Sequence, residues 1–208
     1  MLNKGSAQAI TMRPWWGRWP RAMRWLGPVL GVALVIGFAV LAYQRQHRQE
    51  QAQQAAGMYA EVMEALRQDQ ATQALSHTKR LMEHYAKRPE ASLAALATAP
   101  AALRLQGREA ALGQLRFIVE HGKDVGIVAA ARLQLARLLW DDGHPQEALE
   151  ILDDPAQGFE AHFFALRGDV LWTQGQDKAA RDAWSQALRF AKDPDVRAAL
   201  QQRQALWP

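Results

Sequence analysis

Cysteine is absent from all 208 residues. Thiolate metal sites, disulfides and thiol nucleophiles are therefore excluded, and the chain is compatible with an oxidising compartment. β-Branched residues nowhere alternate over a strand length, so no sheet is expected. Neither a G-x-S-x-G nucleophile turn nor a glycine-rich phosphate loop occurs. Acid is missing from one region in particular: residues 1–24 hold Lys4, Arg13, Arg18, Arg21 and Arg24 without a single Asp or Glu. The whole chain is +4 and this segment is +5, which leaves −1 for everything after it. A nucleic-acid-binding domain carries its surplus of cations on the folded surface, about one per contacted phosphate, and that surplus is missing. Nucleic acid is not an expected partner.

What the first region does contain is RPWWGRWPRAMRW, residues 13–25, four tryptophans and four arginines together. Directly after it, residues 25–43 run as WLGPVLGVALVIGFAVLAY, nineteen positions without a charge. As a helix rising ~1.5 Å per residue this stretch covers about 28 Å, the hydrocarbon thickness of a bilayer. Tryptophan rings settle at headgroup level because they join an apolar body to an N–H donor, and arginine on the same side marks the cytoplasmic flank. Trp15, Trp16, Trp19 and Trp25 with Arg18, Arg21 and Arg24 thus read as a membrane-interface anchor. The far flank has only Arg45 and Arg48 against Glu50, so the expected topology is a single-pass inner-membrane protein with a cytoplasmic N-terminus and a periplasmic C-terminal domain. A cleaved signal peptide is the rival, with Val40 and Ala42 before Tyr43 as its cleavage site; the apolar run exceeds the usual length and the tail before it is long.

From Gln44 onward the residues are rich in Ala, Leu, Gln, Glu and Arg, all good helix formers. The expected organisation is a cytoplasmic tail at 1–24, a transmembrane helix at 25–43, a helical stalk and lead-in helices at 44–90, and a repeat domain at 91–208. Tyr59, Val62, Met63 and Leu66 share one helical face, and Ala71, Ala74, Leu75, Thr78, Leu81, Met82 and Tyr85 share another. Self-similarity follows. ARLLWDDGHPQEALEIL, residues 136–152, aligns with GDVLWTQGQDKAARDAW, residues 168–184, at a constant offset of 32. Ala136 meets Gly168, Leu139 meets Leu171, Trp140 meets Trp172, Gly143 meets Gly175, Ala148 meets Ala180 and Leu152 meets Trp184. A small residue in the first helix lets the second approach, glycine turns the chain, and alanine followed by a large apolar residue fills the space between paired helices. A fainter copy has Ala99, Leu103, Gly107, Ala111 and Leu115, but Pro100 falls in what should be a helix interior, where it costs ~3 kcal/mol unless the helix starts or kinks there. The best-packed pairs are therefore expected at 129–154 and 160–191.

This pattern resembles the tetratricopeptide repeat, whose helix pairs stack into a curved all-α array with a concave binding face. The last copy carries Gly168, Leu171, Gly175, Ala180, Trp184, Ala187 and a closing Pro194. With the basic tail, the single span and the helical lead-in, residues 130–188 resemble the YfgM-like ancillary subunits of the SecYEG translocon, from which the Trp- and Arg-rich tail departs. The resemblance implies a periplasmic scaffold that accompanies the SecYEG translocon and hands exported proteins to periplasmic chaperones, notably a membrane-anchored prolyl-isomerase-like one. The alternative is a repeat-containing structural or regulatory subunit of another cell-envelope machine, since such folds host many functions.

No catalytic residue, cofactor or metal ligand is expected. His77 and His84 are seven apart without a third ligand at suitable spacing and read as solvated helix residues. Asp141, Asp142, Asp153 and Asp154 lack the calcium-loop spacing and read as helix ends and turns. The candidate partner-binding groove consists of Trp140 and Trp172, which the resemblance places toward the concave face, Arg137 and Asp169 three residues before them, and His162. The competing role for the two rings is to fill the joint between successive repeats.

Overall fold

The computed structural model describes residues 26–205, with side chains from 37 to 203 apart from residue 48. The interface-anchor residues Trp15, Trp16, Trp19, Trp25, Arg18, Arg21 and Arg24 lie outside the described residues. Two compact units divide the chain, Met1–Gln49 and Glu50–Pro208. In the first, helix α1 (Leu26–Arg67) begins within the uncharged run, and Phe38, Leu41 and Tyr43 are exposed. No helix is long and apolar enough to cross a membrane among the described residues; those exclude Trp25 and the side chains of 26–36, more than half of the apolar run. The residues Tyr59 to Leu66 belong to the end of α1 rather than to a separate helix.

The second unit holds that end of α1 followed by α2 (Ala71–His84), α3 (Pro89–Leu105), α4 (Arg108–His121), α5 (Val125–Asp141), α6 (Pro145–Leu152), α7 (Glu160–Thr173), α8 (Asp177–Phe190) and α9 (Pro194–Ala205). No strand occurs among the described residues. Local chemistry explains several boundaries. Pro89, Pro145 and Pro194 open their helices at the position where a missing N–H costs nothing. Asp124 caps α5, its Oδ1 accepting the Ile127 N–H at 2.9 Å. The repeat glycines Gly107, Gly143 and Gly175 sit in the turns with φ of 93°, 80° and 72°, a left-handed region closed to most side chains. Asp69, with φ 56°, occupies the corresponding turn between α1 and α2, tolerated because its short polar side chain can bond locally.

The hairpins are α3/α4, α5/α6 and α7/α8, with α7/α8 the most extensive and α3/α4 more extensive than α5/α6. The pair expected at 160–191 is thus the most extensive, while the pair expected at 129–154 is less extensive than the one containing Pro100. Helix α3 continues through Pro100, whose ring is exposed, while Ala94, Ala95, Ala99, Ala101 and Ala102 around it are buried. Burial on those small side chains outweighs the one backbone hydrogen bond that proline forfeits. Helix α6, by contrast, ends after eight residues. A further correction concerns His77: its side chain is only 16 % exposed, with Nδ1 3.1 Å from the Glu61 carboxylate on α1, so it belongs to the α1–α2 contact rather than to a solvated face. His84 is exposed. Asp142 ends α5 and pairs with Arg108 at 3.1 Å, and Asp153 ends α6 and pairs with Arg167 at 2.6 Å.

Helix α3 touches α5 and α5 touches α7, so alternate helices form one row, the inner row of the repeats. The interior is built largely of alanine, leucine and isoleucine, with Phe163 fully buried at its centre. At the C-terminal end Ala180, Ala183, Trp184, Ala187 and Leu200 join α7, α8 and α9. Gly168 and Trp184 show why this pair is so close: a side-chain carbon added at Gly168 would overlap the Trp184 indole. Trp184→Ala should cost ~3–5 kcal/mol through the cavity it leaves, and Gly168→Ala ~1–3 kcal/mol through overpacking. Denaturant unfolding of both variants checks this, and a loss below about 1 kcal/mol for either would remove that residue from the core contact.

Candidate protein-binding groove

Three helices of the inner row wall one cavity of about 420 Å³. Helix α5 contributes Ala130, Leu133, Gln134 and Arg137; α7 contributes His162, Ala165, Leu166 and Asp169; α9 contributes Val196, Ala199, Leu200 and Arg203. Each set has the i, i+3, i+4, i+7 spacing of a single helix face. The first two sets are related by the repeat offset of 32, and α9 continues the row two residues later. The floor is apolar, with Leu166 and Leu200 buried and Leu133 and Val196 half-buried, while Arg137, His162, Asp169 and Arg203 supply charge and polarity.

Of the groove residues expected from sequence, Arg137, Asp169 and His162 come together in this cavity, and the two tryptophans do not line it. Trp140 is half-buried against the central core and donates its Nε1–H to Thr173 Oγ1 at 3.0 Å, bridging α5 to α7 at the joint between repeats. Trp172, its equivalent one repeat later, is 46 % exposed. Trp140 and Trp172 lie a turn beyond the last wall residues of α5 and α7, and the Trp140 ring is held by Thr173 rather than over the cavity. The wall residues Ala130, Leu133, Gln134, Ala165, Leu166 and the whole contribution of α9 were not foreseen. The signal for the first five was present, since the offset of 32 that aligns the tryptophans also aligns Ala130 with His162, Leu133 with Ala165 and Gln134 with Leu166.

Asp169 is the electrostatic centre. Its Oδ1 accepts the Trp184 Nε1–H at 3.1 Å, and Arg203 Nη1 lies 3.0 Å from Oδ1 and 2.9 Å from Oδ2. One carboxylate thereby joins α7, α8 and α9. Burial pushes its pKa above the ordinary carboxylate value, opposed by Arg203, the Trp184 hydrogen bond and Arg137 in that order. His162, exposed at the rim, sits 6.4 Å from the Phe159 ring in a tilted arrangement. Among the described residues, no group of three His, Asp or Glu side chains is placed to hold a metal ion.

A family model described as a tetratricopeptide repeat-like domain matches residues 13–205. The chain belongs to the tetratricopeptide repeat-like family. Membership fits the succession of helix pairs, the glycine turns and an inner helix row that walls a groove. The chain is also similar to the ancillary SecYEG translocon subunit of Escherichia coli (strain K12), 26 % identical over 179 residues that cover 86 % of this chain and 84 % of that protein.

The raised pKa of Asp169 has a stability consequence of definite sign. The folded chain holds this proton more tightly than the unfolded chain, so Asp169 contributes most below its unfolded pKa and that contribution is lost as pH rises through the folded value. At neutral pH the charged form gains little net stability. Asp169→Asn, which keeps an acceptor for Trp184, should therefore cost less than about 1 kcal/mol near neutrality. Its deficit relative to the parent should grow as the pH is lowered toward about 4. Denaturant melts across that range check it; a loss of several kcal/mol at neutral pH that shrinks in acid would mean that the ion pair outweighs burial.

Proposed function

We propose that this chain is an inner-membrane-anchored periplasmic scaffold that accompanies the SecYEG translocon and links exported proteins to periplasmic chaperones, a membrane-anchored prolyl-isomerase-like one among them. The similarity to an ancillary SecYEG translocon subunit over most of both chains carries this reading. The groove supports binding rather than catalysis as the mode of action. Its one carboxylate is committed to Arg203 and Trp184, and the rest of its surface is an apolar trough with a cationic rim. Partners meet the groove through side chains that fill an apolar floor, as in other helix-lined binding surfaces.

Anchoring by a single span is part of the same proposal. It is supported by the five cations that precede the uncharged run, by a helix beginning at Leu26, and by the exposure of Phe38, Leu41 and Tyr43 on that helix. A bilayer would cover those side chains, and the charge bias supports a periplasmic position for the domain after them. A reporter active only after export, fused after Pro208, should be active, and the mature chain should begin at or near Met1; a mature chain beginning at Tyr43 overturns the anchor.

The partner is tested by crosslinking in cells followed by purification in mild detergent. SecY among the captured proteins is the expected result. Its absence, with another envelope machine enriched in its place, overturns the translocon assignment in favour of a structural or regulatory subunit of that machine.

A further inference from the structure

The geometry points to an acidic-and-apolar protein segment as the occupant of the groove between α5, α7 and α9: an extended stretch that sets apolar side chains on Leu133, Leu166 and Leu200 and a carboxylate on Arg137. This rests on the groove being the partner-binding surface, and names the chemistry that such a surface selects.

The charge of the cavity decides the sign. It holds two guanidinium groups and one carboxylate, with His162 at the rim. Asp169 has both oxygens within 3.0 Å of Arg203 and also accepts the Trp184 N–H, so its charge is spent inside the protein and cannot serve as a docking point for a cation. Arg203 is spent in the same contact. Arg137 is not: it is exposed, it lines the trough from α5, and with the described residues it forms no hydrogen bond or ion pair, acting on Asp169 through space. The planar guanidinium fits a carboxylate through two parallel hydrogen bonds, and Asp169 beyond it is already neutralised by its own partner. A cationic or purely apolar segment would leave Arg137 desolvated and unpaired, which disfavours both.

The apolar floor sets the second requirement. Leu166 and Leu200 present the edges of buried side chains, and Leu133 and Val196 are half covered, so an apolar group laid between them loses water on both sides. The wall residues recur at the same register on three successive helices of the inner row, which makes the site a trough rather than a closed cavity and suits an extended chain. In an extended chain successive side chains alternate between two sides, so alternating leucine and aspartate would direct one set to the floor and the other to the rim.

The test uses the full chain in mild detergent and three fluorescently labelled synthetic peptides that alternate leucine with aspartate, asparagine or lysine. The aspartate peptide should bind at least about tenfold more tightly than the asparagine peptide. Arg137→Gln should bring those two within about twofold of each other, with an unchanged thermal melt because Arg137 supports no other described contact. Ala199→Trp, which fills the trough from an exposed position on α9, should abolish binding of all three. Equal or tighter binding of the asparagine or lysine peptide overturns the inference, as does an aspartate preference that survives in Arg137→Gln. If Ala199→Trp eliminates SecY capture while the peptides show no charge preference, this inference fails and the groove reading stands. If Ala199→Trp leaves SecY capture intact, the groove reading fails and takes this inference with it.

Discussion

The close approach of α7 and α8 is the constraint on which the C-terminal half of the protein depends, and it rests on Gly168 having no side chain. The Trp184 indole lies where a Cβ would be, which brings its Nε1–H to the neighbouring Asp169 carboxylate. A larger residue at Gly168 would push the ring outward and move the donor away from the acid. The same packing of a small residue against a large one recurs through the array in milder form, with Ala99, Ala136, Ala148 and Ala180 buried at helix contacts. An interior made of so many alanines buries little area per residue, yet it lets helix axes come close and multiplies contacts along their length.

Much of this was legible because the repeat writes the same physical requirement several times. Glycine at the turn, a small residue before it and an alanine after it align at a fixed offset, so Gly143 and Gly175 announced two left-handed turns and Gly107 a third. What escaped had no such echo. Pro100 reads as a helix breaker in isolation, and only the burial of its alanine neighbours on α3 shows why the helix persists. The turn between α1 and α2 lacks the glycine, with Asp69 adopting the same left-handed conformation in its place, so the pattern hid there. His77 looked like a surface residue because its partner, Glu61, lies on another helix and no spacing rule connects them.

The groove was half legible for a geometric reason. Arg137, Asp169 and His162 share its walls, and the two tryptophans, a turn further along α5 and α7, lie beyond its end. On a helix of 3.6 residues per turn the partner of position 137 along the same face is 133, 134 or 130, all of which line the cavity with it. Tryptophan draws attention as the largest side chain with a hydrogen-bond donor, and Trp140 uses that donor within the protein, on Thr173 of the next repeat. Helix α9 could not be read as a groove wall because it follows the last full repeat at an offset of 34 rather than 32, and its apolar positions are diluted among glutamine and arginine.

The character of the groove then follows from how its charges are distributed rather than from how many there are. Asp169 is disfavoured in its charged form by burial, and an apolar residue of similar size in its place would avoid that cost. Its presence has a specific effect on the surface: it pairs with Arg203, and so ties helix α9 to the end of the row, while Arg137 forms no ion pair among the described residues. Without Asp169 the trough would carry two competing cations and a wall that has lost its ion pair to α7. With it, one wall is fixed in register and Arg137 is left without an ion pair among the described residues. The Trp184 contact that closes the core and the ion pair that closes the groove meet on the same carboxylate, so the packing of α8 against α7 and the electrostatics of the inner face are two consequences of one placement.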